Sequence, residues 1–192
     1  MEFTDRRTIK LDRILNELDK LVISFIKILE KHTEYVIVSG YVAILFGRSR
    51  TTEDVDIIIP ELPKEKFASL FDELTKSGYW FLNSSKMDDV YDLLASKASA
   101  RAAIDGEIFP NFELKFEKTH ADRLALKNKL RVIMGDNHIF TAPLELQILY
   151  KEKVLKSFKD LEDARHLRVV FSKYLNSKEF EVYRRVIEKQ GY

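Results

Sequence analysis

The sequence predicts an α/β fold, of the α+β type, whose last third is helical. Segments with the two-residue alternation of strands and segments with the helical period are interspersed through residues 1–142. From Pro143 onward only helical patterns recur. Apolar residues make up 45% of the 192-residue chain, which is enough for a sizeable core. We therefore expect an α/β core with an N-terminal helix over residues 1–142, and a helical segment packed on it over 143–192.

The composition narrows the class of protein. A net charge of +1 gives the chain no general attraction to nucleic acids or membranes, so any basic site has to be local. The absence of cysteine excludes disulfides, thiolate chemistry and thiolate zinc sites. Without an N-terminal signal core or an apolar run of about 18 residues, we expect a cytoplasmic protein that does not enter membranes. The 33% of charged residues and the scarcity of glutamine favour a thermophile.

The chain begins with a pattern that predicts a long amphipathic helix. Apolar side chains recur at helical spacing over residues 8–31, and either Thr4 or Asp5 is expected to cap its start. Residues 35–59 then predict a strand, a tight turn, a short helix, a basic loop and a second strand.

The remaining elements follow from the same two periods. In chain order we expect a helix over 64–76, a short strand or packed loop over 79–82, a helix over 87–103, a turn at Asp105-Gly106, a strand over 112–116, a helix or irregular arm over 119–128, and a hairpin of 130–134 with 138–140. The last third predicts helices over 143–156, 159–175 and 178–190.

The second strand of the central unit carries paired acids. Asp54 and Asp56 are two residues apart, so the strand places both carboxylates on one face and Val55 on the other. Two carboxylates side by side repel each other, and a divalent metal with oxygen ligands relieves that repulsion. The pattern therefore predicts a metal site on this strand.

A phosphate seat is expected just before these acids. Ser39-Gly40 closes a strand and opens a helix, where glycine lets backbone N–H groups approach a ligand and the helix end carries partial positive charge. Arg48 and Arg50 follow in the basic loop, and guanidinium groups suit phosphate oxygens. Seat, arginines and paired acids together indicate metal-dependent phosphoryl or nucleotidyl transfer.

A third acid on a neighbouring strand completes such a site. Glu113 is the best candidate because it alternates with apolar neighbours in the strand at 112–116. Asp105 and Glu107 are weaker candidates because they lie at a turn. The plain alternative for Glu113 is a solvent-facing residue paired with Lys115.

These residues resemble the nucleotidyltransferase fold of the DNA polymerase β superfamily. Within it, the small prokaryotic branch that includes abortive-infection toxin nucleotidyltransferases is the most similar. The motif positions of that branch are matched by Ser39-Gly40, Gly47, Arg50, Thr52, Asp54 and Asp56. Serine stands where the first small residue of the glycine pair is usual, and Glu113 falls where the superfamily has its third acid.

The helical third resembles the same branch a second time. Lys151, followed by Lys159-Asp160 and Asp163, is similar to its lysine and Lys-Asp-x-x-Asp signature. The resemblance implies that Lys151 reaches nucleotide phosphates and that Asp160 and Asp163 orient it or line the cleft. Lys153 is an equal alternative to Lys151, and both aspartates are alternatively salt-bridge partners of neighbouring basic residues.

The resemblance implies a mixed sheet flanked by helices and a nucleotidyltransferase acting on an NTP such as ATP. Two Mg²⁺ ions, with Mn²⁺ as an alternative, are expected on Asp54, Asp56 and Glu113. The residues expected to bind the nucleotide are Ser39, Gly40, Arg48, Arg50, Thr52, Lys151 and Asp160. The acceptor is a tRNA end, a protein side chain or a small molecule. The competing hypotheses are a catalytically silent nucleotide-binding module and a toxin–antitoxin component whose partner protein is encoded nearby.

Overall fold

The structure is a computed structural model and describes residues 1–189. The strands of this part are β1 (Glu2–Asp5), β2 (Thr8–Leu11), β3 (Val36–Val38), β4 (Asp54–Ile59), β5 (Tyr79–Phe81), β6 (Ser99–Ile104), β7 (Asn111–Phe116), β8 (Leu130–Met134) and β9 (Asn137–Thr141). The helices are α1 (Glu17–Leu29), α2 (Gly40–Leu45), α3 (Lys64–Lys76), α4 (Met87–Ala95), α5 (His120–Lys127), α6 (Leu144–Tyr150), α7 (Phe158–Val170) and α8 (Ser177–Lys189). A π-helical turn, Lys151–Leu155, continues α6.

All nine strands of the described part form one mixed sheet, in the order β1-β2-β8-β9-β3-β4-β7-β6-β5. Three neighbouring pairs are parallel, namely β2 with β8, β3 with β9 and β4 with β7. The others are antiparallel. The predicted α/β class with a mixed sheet and helices is therefore confirmed.

The predicted helix over residues 8–31 is wrong in its first half. Ile9 and Leu11 are buried and Lys10 is exposed, which is strand alternation, and β2 pairs in parallel with β8. The helix begins only at Glu17, where Asn16 and Asp19 form a reciprocal capping box, so neither Thr4 nor Asp5 caps it. The apolar residues at 9 and 11 are compatible with both the helical and the strand period. Hydrogen bonding to β8 favours the strand.

The predicted helix over residues 87–103 is also too long. It ends at Ala95, and Lys97 then adopts a left-handed conformation with φ of 65°. The alanines that follow lie in β6, which is hydrogen-bonded between β5 and β7. Alanine favours helices, but two strand partners outweigh that local preference.

Most of the other predicted elements agree with the structure, but the helix predicted over 159–175 ends at Val170, and the one over 143–156 continues from α6 as the π-helical turn. The central unit is β3, α2 and β4, the hairpin is β8 with β9, and residues 79–82 contain the strand β5. Residues 119–128 contain the helix α5, capped by Thr119. The expected helix 178–190 is observed as α8, and residue 190 lies outside the described residues.

The C-terminal helices contribute to the same core as the sheet. Leu144 and Ile148 of α6 and Leu167 of α7 belong to one buried cluster with Ile37 and Val55 of the sheet. A second cluster joins Tyr183 and Ile187 of α8 to Val36 and Ile58 on the other face of β3 and β4. No helix within residues 1–189 is long and apolar enough to cross a membrane.

Phe112 tests this core. Its ring stacks on Phe25 with centroids 3.9 Å apart, and the side chain is 1% exposed. We expect Phe112→Ala to lower the free energy of unfolding by about 3–5 kcal/mol, because it leaves a cavity beneath β7. Urea denaturation measures this loss, with Val182→Ala at an exposed position of α8 as the control. A loss below about 1 kcal/mol would contradict the packing described.

Candidate active site

The three predicted acids lie on two neighbouring parallel strands. Asp54 and Asp56 alternate with the buried Val55 and Ile57 in β4, so the same-face prediction is confirmed. In the register of β4 with β7, Asp56 is directly opposite Glu113. Pairing of the two strands thus brings the third acid beside the first two, although Glu113 is 57 positions after Asp56 in the sequence.

The ammonium group of Lys115 lies between two of these acids. Its Nζ is 2.8 Å from Asp56 Oδ1 and 2.9 Å from Glu113 Oε1. Arg101 of β6 approaches Glu113 from the other side, with Nε at 3.6 Å. The pairing of Glu113 with Lys115, which the sequence offered as the plain alternative to a role in the site, is therefore present, because their two-residue spacing in β7 places both side chains on one face.

The acids differ in their protonation behaviour. Burial, followed by the charges of Asp56 and Glu113, raises the pKa of Asp54, although a hydrogen bond from Thr52 opposes this. Burial also acts to raise the pKa of Glu113, but the hydrogen bond and charge of Lys115 outweigh it and the pKa is lowered overall. Glu113 is therefore held as a carboxylate, whereas Asp54 faces excess negative charge.

The turn before α2 brings Ser39 and Gly40 close to charged partners. Ser39 has a φ of 67°, and its N–H donates to Oε1 of Gln147 at 3.2 Å. A Cβ on Gly40 would lie 3.1 Å from Nη2 of Arg50, so glycine leaves room for the guanidinium. Gln147 was not predicted as a site residue, and no motif in the sequence pointed to it.

Arg48 and Arg50 are paired with a buried acid. Asp163 is fully buried and accepts a hydrogen bond from Nη1 of Arg50 at 2.6 Å, while Nε of Arg48 lies 2.7 Å from its Oδ1 as an ion pair without hydrogen-bond geometry. Lys151, which is 1% exposed, contacts the same carboxylate at 2.8 Å and Asp160 at 2.9 Å. Three cations thus surround Asp163, and the basic loop is fastened to α7.

This network shows which basic residues the two aspartates of the helical third contact, while the roles of Lys151, Asp160 and Asp163 towards a nucleotide stay predictions. Lys153 is exposed, whereas Lys151 is buried with the aspartates, so Lys151 is the lysine of the cluster. Asp163 pairs with Lys151 and the two loop arginines rather than with Arg165, whose ion pair is with Glu162. The two arginines lie beside Gly40 and Asp163, and direct contact with phosphate stays a prediction.

Other candidates have structural partners or lie outside the acid cluster. Thr52 donates from Oγ1 to the carbonyl oxygen of Asp54 at 2.9 Å and so supports the start of β4. Asp105 and Glu107 are exposed in the turn after β6, away from the register of Asp56 with Glu113. The choice of Glu113 as the acid nearest to Asp56 thus has a direct geometric basis.

A cleft of about 310 Å³ borders one of the acids, Asp56. Asp56 and Ser39 line one side of it, and three lysines, Lys97, Lys115 and Lys118, also line it. Asp122 lines it as well, and apolar side chains from β3, β4, β7, α5 and α6 form much of the remaining wall. The cleft therefore combines an acidic edge with a cationic rim, which suits an anionic ligand with an apolar part.

The acid cluster has the donor chemistry for a divalent cation. Within residues 1–189 no group of three or more acidic or histidine side chains stands ready-made to hold a metal ion, so the two-ion site stays a prediction. However, Asp56 and Glu113 already converge on one cation, the Lys115 ammonium. Carboxylate oxygens are the ligands Mg²⁺ prefers, and the residues present fit such an ion.

Solved structures define the class of fold. The chain is similar to the antibiotic-resistance factor ANT(2'')-Ia, at 16% sequence identity with a TM-score of 0.53, over 90% of this chain and 94% of that one. It is also similar to an antigenic nucleotidyltransferase-like protein from Paracoccidioides brasiliensis, at 16% identity with a TM-score of 0.51, over 89% and 87% of the two chains.

The chain therefore has the nucleotidyltransferase fold. No protein-family model matches the sequence, and no curated protein matches it. Because the sequence identities are low, the structural likeness establishes the fold, and the activity has to be argued from the site.

Asp163 tests the buried network. Asp163→Asn leaves the buried Lys151 with only Asp160 as an acidic partner, removes the ion pair of Arg50, and leaves Arg48 only its 3.9 Å contact with Glu162. We expect a loss of about 3–5 kcal/mol in the free energy of unfolding, because buried charges lose their compensation. Glu181→Gln, which removes an exposed acid paired with Arg185 on α8 outside the network, is the control and costs below about 1 kcal/mol. Equal losses in the two variants would contradict the network.

Asp160 tests the pH dependence of the same cluster. Burial acts to raise the pKa of Asp160, but hydrogen bonds from Ser157 and Lys151 outweigh it and the folded pKa is lowered. An acid with a lowered folded pKa stabilises the protein above its unfolded pKa of about 3.9, and this contribution is lost as the pH falls.

We therefore expect Asp160→Asn to cost about 1 kcal/mol at neutral pH and progressively less below about pH 4. Denaturation of both proteins at a series of pH values measures the difference. Glu188→Gln, at an exposed position of α8, controls for a general effect of removing a negative charge. A cost that grows as the pH falls contradicts the assignment.

Proposed function

We propose that the protein transfers an NMP group from an NTP to an acceptor hydroxyl. The observation that carries this proposal is the register of β4 and β7, which sets Asp56 beside Glu113 on the face that also bears Asp54. Asp56 also lines a cleft together with three lysines, in a chain with the nucleotidyltransferase fold. Acids able to bind cations and a seat for an anionic substrate are the two parts that such a transfer needs.

Asp54, Asp56 and Glu113 are the proposed ligands of Mg²⁺, with Mn²⁺ as an alternative. A bound divalent ion would supply charge neutralisation at the triphosphate and a lowered pKa at the acceptor hydroxyl. Glu113 is the residue proposed to take the acceptor proton, because Lys115 and Arg101 favour its ionised form. The low pKa of this carboxylate makes it a modest base, so the acceptor must be activated as well.

The basic residues have proposed roles in holding the leaving pyrophosphate. Arg50 lies against Gly40, and Asp163 fixes the direction of its guanidinium. Arg48 and the buried Lys151 form ion pairs with the same aspartate. Ser39 lies in the turn before α2, and its backbone N–H donates a hydrogen bond to the Gln147 side chain, which fixes the turn. A rigid, preorganised cationic loop stabilises developing negative charge without rearranging during the reaction.

The acceptor is proposed to be RNA such as a tRNA end, a protein side chain or a small molecule. Three lysines and two aspartates, Asp56 and Asp122, line the cleft, so its lining has a small excess of positive charge that attracts an anionic acceptor. This charge favours the phosphate-bearing RNA among these alternatives. A second proposal is a toxin-like nucleotidyltransferase whose partner protein is encoded nearby. Inspection of the neighbouring genes tests this proposal directly.

Asp56 tests the activity. Incubation with α-phosphate-labelled NTPs, Mg²⁺ and total RNA or cell lysate should transfer label to an acceptor. We expect Asp56→Asn to reduce transfer by at least about 100-fold, because it removes a charged ligand from the centre of the cluster. Glu53→Gln, an exposed acid three residues before it, should leave transfer unchanged.

Two outcomes separate the enzyme from the silent nucleotide-binding module. Label transfer that depends on Asp56 and Mg²⁺ supports the enzyme. Nucleotide binding without transfer to any offered acceptor, and without dependence on Asp54 or Asp56, would indicate a module that keeps the fold but not the chemistry.

A further inference from the structure

We propose that Lys115 is a resident cation of the acid cluster and that a divalent metal ion has to displace it. This inference rests on the proposed function, since it concerns the same acids. It goes beyond that function by assigning a role to a residue that is neither a metal ligand nor a predicted nucleotide contact.

The geometry of Lys115 is that of a bridging cation. Its Nζ lies within 2.9 Å of one carboxylate oxygen on each of two strands, Asp56 on β4 and Glu113 on β7. The register sets Asp56 opposite Glu113, so the ammonium occupies the point where the two carboxylates converge. A metal ion shared by the same two oxygens would need that same point.

The charge balance explains why the position attracts a cation. Three carboxylates lie on this face, and within residues 1–189 Lys115 is the only cation that forms ion pairs with two of them. Arg101 adds a weaker contact to Glu113 at 3.6 Å. Asp54 therefore remains next to uncompensated charge, and a divalent ion compensates more of it than one ammonium group can.

The side chain of Lys115 is free to leave. It is 39% exposed, unlike Lys151, which is buried at 1% exposure in its own acid cluster. A lysine has a flexible four-carbon stem and a strongly hydrated head, so it moves at small cost when its partners are taken. Lys151 holds a structure together, whereas Lys115 occupies a position that can be exchanged.

The cleft offers the displaced ammonium a second partner. Lys115 lines the cleft together with Ser39, Lys97 and Lys118. If a metal ion bound Asp56 and Glu113, the released ammonium would remain in this cleft beside Lys97 and Lys118, where it could bind an anionic group of the substrate. Lys115 thus links two events, since binding of the cation prepares the cleft for the phosphate.

The test measures Mn²⁺ affinity by the electron paramagnetic resonance signal of free Mn²⁺. The proteins compared are the wild type, Lys115→Met, Lys115→Gln, Asp56→Asn, the double variant of Asp56→Asn with Lys115→Met, and the control Lys118→Met, which removes a charge from the same cleft. We expect both Lys115 variants to bind Mn²⁺ about tenfold more tightly than the wild type, because nothing competes for the carboxylates. Lys118→Met should change the Mn²⁺ affinity less than about twofold, because Lys118 forms no ion pair with Asp56 or Glu113 and salt screens its charge.

A second readout uses stability. Without metal, Lys115→Met should unfold at a lower temperature than the wild type, because the acids lose their cation. Saturating Mn²⁺ should raise its melting temperature more than it raises that of the wild type. Circular dichroism before each titration shows that the variants are folded, and Lys115→Gln supplies an independent folded variant if Lys115→Met is not.

The outcomes separate the two proposals. Equal or weaker Mn²⁺ affinity in both Lys115 variants overturns the role of Lys115 and leaves the proposed function standing. Absence of Mn²⁺ binding in every protein, or binding that Asp56→Asn does not reduce, overturns the metal site and with it the proposed function. Tighter binding in the Lys115 variants that Asp56→Asn abolishes supports both.

Discussion

The in-register parallel pairing of β4 with β7 is the constraint on which the site depends. It places Asp56 opposite Glu113, and strand alternation adds Asp54 and Lys115 to the same face. A shift of one residue in either strand would turn its polar side chains into the core and its apolar ones towards the cleft. The buried Val55, Ile57, Phe112 and Leu114 therefore hold the register that the acids require.

A second set of charges connects the helical third to the site. Asp163 on α7 receives two arginines from the loop before β4 and the buried Lys151 from the turn after α6. Removing such a carboxylate from water is costly, and three cations compensate it. This arrangement makes the position of the basic loop depend on the packing of α7 against α2. It also explains why the lysine and aspartates of the helical third bear on a site built by the sheet.

The two lysines of the site illustrate different uses of one residue type. Lys151 is enclosed with Asp160 and Asp163, and its loss would leave a buried charge without a partner. Lys115 is partly exposed between Asp56 and Glu113 at the edge of the cleft. Burial therefore separates a cation that maintains the structure from one that can be exchanged for a ligand.

Much of the fold and of the site could be predicted because the relevant signals are local. Alternation in β4 predicted a shared face for its two acids, and the spacing of Ser39-Gly40 with the acidic strand predicted the central unit. The failures lie where a local pattern was ambiguous. Ile9 with Leu11 fitted either period, and the alanines of β6 favoured a helix, until β8, β5 and β7 supplied hydrogen-bond partners.

The identity and spacing of residues along each strand indicate which side chains could bind a cation or an anion and which of them share a strand face. The side chains that they contact follow from the tertiary structure. The union of Asp56, Glu113 and Lys115, and that of Asp163 with Arg48 and Arg50, each joins segments far apart in the chain. Local periodicity carries no information about such pairings, because they depend on strand order and helix packing, which the whole core determines.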